Sequence, residues 1–225
     1  PRGDKKFNIY QTELPFMRRV AQELSLPELA PDVWVRHPLS YLMEAADDIC
    51  YALLDLEDAV EIGLIGDMEV ESILSELTFV ENTWYAQSSR QRCAMLRGIA
   101  IGRAIDDVAQ TFITHQADLL NGQFQGKDLI ALCGSEVRNT LEKAKDLARN
   151  RIFRHQSKLM TSIAAYPCLS SILDLLIPAV HAFVVEGKVS QRHSLSLELL
   201  ADEPVEQGDS LYIAYMKVLD FVGSM

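Results

Sequence analysis

The sequence predicts an all-α protein, and three observations carry that prediction. Apolar residues recur three and four positions apart along most of the chain. No stretch shows a convincing strand alternation or hairpin turn. Proline and glycine gather where the helical patterns stop, as at Pro27, Pro31, Pro38 and Gly63. With 225 residues, 48% of them hydrophobic and 24% charged, the chain can bury a real core. It reads as one helical portion over residues 1–225, without internal repeat or low-complexity tract.

The elements follow in order. Glu13 to Leu24 is a first helix, stopped near Pro27. Ser25 to Pro38, with its three prolines, is a connecting loop. Pro38 suits the first turn of the next helix, about Leu39 to Ile62, which Gly63 ends. A third helix covers about Asp67 to Val80. The longest runs from about Ser88 to Leu120, ending near Asn121-Gly122. Shorter helices follow at about Lys127 to Leu132 and Ser135 to Arg149. Leu169 to Val185 is a more apolar helix with a kink expected at Pro178. Glu186 to Gln191 is polar, Ala201 to Asp209 is an acidic loop, and Ser210 to Val222 is the last helix.

Composition excludes some partners. The net charge of −11 argues against tight binding of duplex DNA, which needs clustered Lys and Arg. The densest basic group is Arg90, Arg92, Arg97 and Arg103, and single-stranded DNA is left open. No run of about 18 uncharged apolar residues occurs, so no membrane span is expected; Asp174, Pro178 and His181 interrupt the most apolar segment. No signal-peptide pattern is seen. Cys50, Cys93, Cys133 and Cys168 are far apart with no C-x-x-C, the pattern of reduced core cysteines in a cytoplasmic protein. The opening PRGDKKFNIYQTE reads as the interior of a longer chain.

The informative stretch is EAADDICYALLDLEDA, Glu44 to Ala59, with six carboxylates. At about 100° per residue, Leu42, Ala45, Ala46, Ile49, Leu53, Leu56 and Val60 share a core side. Glu44, Asp47, Tyr51, Asp55 and Asp58 lie opposite, and Asp47, Tyr51 and Asp55 stack along one line. A solvated polar face is the bland explanation. Against it, like charges four apart destabilise a helix by ~0.2–0.5 kcal/mol per pair. No Lys or Arg lies between Glu44 and Glu81 to relieve them. A cation from elsewhere is therefore expected, either a metal or an Arg of another helix. Tyr51 in the same line suggests a covered face.

HPLSYLMEAADDICYALLDLEDA resembles the helix of the dGTP triphosphohydrolase branch of the HD-domain phosphohydrolases, close to E-A-A-D-D-I-x-Y-x-x-x-D-x-E-D-A. KKFNIYQTE, Lys5 to Glu13, is similar to that family's K-F-G-F-F-x-S-E. LDFVGSM, Leu219 to Met225, is similar to its D-Y-x-x-G-M-T-D, without the final Thr-Asp. Order and separation fit, so the resemblance covers essentially the whole chain. It implies an HD-domain-like helical bundle, incomplete at its N-terminal side, and the C-terminal portion of the family's subunit.

The resemblance also implies chemistry. A divalent metal (Mg, Mn or similar) would be held by a His, a His-Asp pair and a distant Asp, here Asp47. A carboxylate is a suitable ligand for a hard cation. Tyr51 and Asp55 would line the triphosphate and sugar site. The reaction would be hydrolysis of dGTP or another dNTP to deoxynucleoside and tripolyphosphate, by attack of water at the α-phosphorus. The metal would polarise a phosphoryl oxygen, activate water, or both. A homo-oligomer is implied as well.

For phosphate contacts, the longest helix offers the stripe Ala94, Gly98, Ile101, Ile105, Val108 and Phe112. Arg97 and Arg90 lie at its edge, so Arg97 is the first candidate and Arg90 the second, against an ion pair with a structural carboxylate. Arg103 reads as solvated. The family's other metal ligands lie upstream of KKFNIYQTE, and no His-Asp dipeptide occurs in this sequence. His37 reads as part of a helix start, and His115 and His181 as helix residues. His155 sits in a short basic patch, and His193 in a loop. The catalytic residues are thus unassigned, and this chain alone is expected to bind metal weakly and to be inactive. Two alternatives stand beside this reading: an HD-domain phosphohydrolase acting on another nucleotide, and a non-catalytic helical regulatory or interaction module.

Overall fold

The computed structural model describes residues 8–78 and 88–225. Lys5, Lys6 and Phe7 of the KKFNIYQTE segment, and the expected end of the third helix at Val80, lie outside the described residues. The chain divides into two compact units, 1–155 and 156–225.

In the first unit, α1 (Leu14–Glu23) opens with Pro15 in its first turn, where the missing N–H is not needed. The segment between α1 and the next helix is not simply loop. Glu28–Ala30 (β1) and Val33–Trp34 (β2) pair as a small antiparallel hairpin. Asp32 takes a left-handed conformation at its turn (φ 60°). Its carboxylate accepts both arms of the Arg18 fork at 2.7 Å, tying the hairpin to α1. The strands are too short to show alternation, which is why periodicity misses them.

Helix α2 (Pro38–Glu61) is the spine of this unit. His37 caps it, Nδ1 accepting from the Leu39 N–H at 3.2 Å, as its place before Pro38 suggests. Gly63, in the left-handed region, ends it. Ala45, Ile49, Leu53 and Leu56 of the expected stripe are buried, Leu42 and Val60 are half-buried, and Ala46 is exposed. Helix α3 (Asp67–Leu74), α4 (Ser89–Thr114), the short α5 (Gln116–Leu120) and α6 (Ser135–Leu147) pack around it in one core. A reciprocal capping box between Ser88 and Gln91 starts α4. The expected longest helix breaks at His115, where α4 gives way to α5. Between Lys127 and Leu132 only a 3₁₀ turn forms, Ile130–Leu132, and α6 runs out through a π turn, Ala148–Ile152.

Helix α4 presents a different side from the one expected. Cys93, Leu96, Ala100, Ala104, Val108 and Thr111 are buried, while Gly98 is exposed and Ile105 is 53% exposed. The buried face is turned by about one residue, ~100°. Both sides carry apolar residues, so periodicity does not choose between them. Ala100 and Ala104, fully buried, let the neighbouring backbones approach, and the branched Ile105 is left outside.

In the second unit, α7 (Gln156–His181) begins well before Leu169 and contains Pro167 as well as Pro178. It continues as a π turn, Ala182–Glu186, that Gly187 ends with φ 64°. Helix α8 (Gln191–Leu197), which was not expected and which takes in the expected loop residue His193, is capped by Ser190. A 3₁₀ turn (Glu198–Leu200) and α9 (Leu211–Ser224) follow. Leu176, Val180, Leu200, Ala214 and Val218 are the core of this unit. Counted with its π turn, α7 is long and apolar enough to cross a membrane by length and composition alone, contrary to the sequence expectation. Its C-terminal half supplies Leu176 and Val180 to the packing just described.

The cysteines divide: Cys93 and Cys133 are buried, whereas Cys50 and Cys168 are exposed rather than core residues.

Candidate functional site

Four carboxylates of α2, Glu44, Asp48, Glu57 and Glu61, are paired with cations from outside the helix. Arg36, just before it, places a guanidinium nitrogen 2.8 Å from Glu44. Lys145 of α6 reaches Asp48 at 3.1 Å. Arg97 of α4 pairs with Glu57, and Arg90 pairs with Glu61 at 2.5 Å. So the cations that the sequence lacked locally arrive from the preceding loop and from two other helices.

Arg36 is the most buried of these cations, with 8% of its surface exposed. Its Nε donates to Ser40 Oγ at 3.2 Å and a terminal nitrogen to the Ser40 carbonyl at 3.3 Å. Its plane lies over the Tyr41 ring, 4.2 Å from the centroid. Tyr41 meets Phe124 edge-on at 5.1 Å, and Phe124 meets His115 edge-on at 5.7 Å. The start of α2 is thereby locked to the α4–α5 corner. Sequence reasoning passed over Arg36 and Lys145. Arg36 lies eight positions before Glu44 across a helix start, and only the turn at His37-Pro38 brings the two together.

Asp47, Tyr51 and Asp55 keep their common line on α2. Asp47 is exposed and makes no ion pair among the described residues. Tyr51 is 63% exposed, so within this structure the face is not covered there. Asp55 is half-buried. Arg97, half-buried, and Arg90, largely exposed, both lie on the α2 side of α4 in their ion pairs. A phosphate at Arg97 would have to compete with Glu57. Arg103 is exposed on α4.

Among the described residues, no group of three or more His, Cys, Asp or Glu side chains could hold a metal ion. Asp47 suits a hard cation as one ligand, but the described residues alone do not make the site. Within the first unit the histidines do not converge on it. His37 is engaged in its cap, His115 faces Phe124, His155 is exposed in the turn after the α6 extension, His181 ends α7, and His193 lies in α8.

The cysteine environments differ in chemistry. Burial, with Glu71 and Asp67 nearby, pushes the Cys93 thiol up to about 11. Burial also raises Cys133, against the hydrogen bond it shares with Thr111. Both stay protonated at neutral pH, which leaves them poor nucleophiles and poor ligands.

Comparison with known proteins gives the class first. Three similar curated proteins carry hydrolase names, triphosphohydrolase or triphosphohydrolase-like. A deoxyguanosinetriphosphate triphosphohydrolase-like protein of Pseudomonas aeruginosa is 36% identical over 226 aligned positions, 98% of this chain and 51% of that protein. A protein of the same description from Synechocystis sp. is 29% identical over 98% of this chain and 49% of its own length. The deoxyguanosinetriphosphate triphosphohydrolase of Cronobacter sakazakii is 29% identical over 77% of this chain and 37% of its own length. No family model matches. Over almost its whole length the chain is a homologue of the C-terminal portion of proteins named deoxyguanosinetriphosphate triphosphohydrolase or triphosphohydrolase-like. It spans about half the length of the P. aeruginosa and Synechocystis relatives.

Proposed function

We propose that this chain is the C-terminal portion of a metal-dependent dNTP triphosphohydrolase acting on dGTP or related nucleotides. Water adds to the α-phosphorus, the bond from that phosphorus to the 5′ oxygen breaks, and deoxynucleoside and tripolyphosphate leave. The observation that carries the reading is the outward Asp47–Tyr51–Asp55 line on α2, in a chain aligned almost end to end with triphosphohydrolase-like relatives.

In this reading Asp47 is one ligand of a divalent ion whose remaining ligands lie outside this sequence. The ion supplies Lewis-acid activation when bound. Tyr51 gives the sugar a flat apolar surface and a hydroxyl, and Asp55 accepts from the sugar or from ordered water. Arg97, and behind it Arg90, exchange a carboxylate partner for a phosphate when substrate arrives. Such charge-assisted contacts are strong enough for that exchange. This chain by itself is inactive. A homo-oligomer and a cytoplasmic setting go with the proposal.

The test uses the longer protein that contains this sequence, with dGTP and Mg²⁺ or Mn²⁺, and separation of the products. Deoxyguanosine and tripolyphosphate are expected. Asp47→Ala is expected to lower turnover by more than about 100-fold, beyond the ~10–100-fold of a residue that only supports a metal ligand. Absence of tripolyphosphate from every dNTP would refute the proposal and favour the non-catalytic helical module.

A further inference from the structure

The second unit holds a solvent-open surface depression of about 530 Å³ that the proposed reaction does not use. Its size lies within the range of small-molecule sites, roughly 300–1,000 Å³. It forms where α7 loosens into the π turn Ala182–Glu186 and the chain reverses at left-handed Gly187. Single π turns of this kind widen a helix and recur at functional sites. Ser190 then starts α8, its Oγ accepting the His193 N–H at 3.2 Å, which fixes His193 at the depression.

The lining has two characters. Ile177, Pro178 and Ala182 make an apolar wall, and the Tyr215 ring of α9 lies at the same depression. Around the rim stand His181, Lys188 and His193, with one carboxylate, Glu186. Neither Lys188 nor Glu186 makes an ion pair among the described residues, although they are two positions apart. A cation site is the first idea for two imidazoles and a carboxylate. Yet no group of His, Cys, Asp or Glu among the described residues could hold a metal. What the rim offers is donors: an ammonium, two imidazole N–H groups and the Tyr215 hydroxyl.

We infer that this depression binds a small amphiphilic anion, with a flat apolar body against Pro178 and Tyr215 and an anionic head at Lys188, His181 and His193. Glu186 sets the charge limit. It tolerates a compact head of one or two charges and repels a longer polyanion, so tripolyphosphate is a poor ligand here. The site is thus independent of the triphosphate chemistry proposed for α2. The head is a phosphate ester or a carboxylate, and the test separates them.

The 225-residue chain is titrated at neutral pH with phenyl phosphate, benzoate, inorganic phosphate and tripolyphosphate. The imidazole proton signals of His181 and His193 are followed by NMR and assigned with His181→Gln and His193→Gln. Saturating shifts at both imidazoles are expected with phenyl phosphate or benzoate, and the tighter of the two names the head. Lys188→Glu is expected to weaken that binding about tenfold or more, the worth of a charge-assisted hydrogen bond. Glu186→Gln is expected to tighten it. Both positions are exposed, so neither variant threatens the fold. Shifts that never saturate, tripolyphosphate binding as tightly as phenyl phosphate, or unchanged binding in Lys188→Glu would overturn the inference.

Discussion

Removing Arg36 should destabilise the first unit more than removing any exposed cation. In Arg36→Ala the Glu44 carboxylate, only 21% exposed, loses this ion pair. The Tyr41 ring loses its stacked guanidinium, and Ser40 loses two donors. Breaking a buried pair from one side costs about 3–5 kcal/mol. Because Glu44 retains some water, we discount this to about 2–4 kcal/mol. In a chain of this size each kcal/mol lowers Tm by roughly 2–4 °C, so a fall on the order of 10 °C is expected. The assay is urea and thermal unfolding followed by circular dichroism, with Trp34 fluorescence as a second probe in the same unit. The control is Arg18→Ala, which removes the exposed hairpin pair with Asp32 and should move the midpoint little. Equal losses in the two variants would refute the argument that the Arg36 cluster anchors α2.

Two further outcomes test the chemistry of single groups. Under native conditions iodoacetamide should label Cys50 and Cys168 first. Cys93 and Cys133, buried and with raised thiol pKa, should react only on unfolding, as peptide mass spectrometry would show. The Asp209 carboxyl is held below its ordinary range by the Glu206 N–H and then by Lys217. A depressed folded pKa gives stability that is present above the unfolded value and lost as pH falls through the folded one. Acid unfolding of the second unit should therefore lose part of its pH dependence, below about pH 4, in Asp209→Asn.

The long elements were legible from the sequence because their signals are repeated. On α2 the period places Ala45, Ile49, Leu53 and Leu56 in the core, and Pro38 and Gly63 mark its ends. On α4 the same method chose the wrong side. Ala100 and Ala104 are weakly hydrophobic, and their role is close approach, which shows only in three dimensions. The β1–β2 hairpin and α8 are too short to display any period, and neighbouring packing holds them. At the candidate site, Asp47, Tyr51 and Asp55 were visible as one helical line. Which cation meets which carboxylate was not, because Arg36, Arg97 and Lys145 reach α2 through turns and helix docking that no local pattern encodes.

That long-range neutralisation bears on the order in which the chain assembles. Glu61 finds Arg90 across 29 positions, and Asp48 waits for a lysine on α6. Apart from Glu44, which Arg36 meets from the preceding segment, a nascent α2 therefore carries its mutual repulsion alone until α4 and α6 have closed their loops. Its helical state forms as a product of docking rather than as a seed for it, since local nucleation is already unfavourable without repulsion. Dissolved salt, acting within roughly 10 Å at 0.1 M, is the counterion available before then. The kinetics of folding should thus respond to ionic strength in the opposite sense to the finished ion pairs: salt eases the approach to the native state while weakening the contacts that complete it.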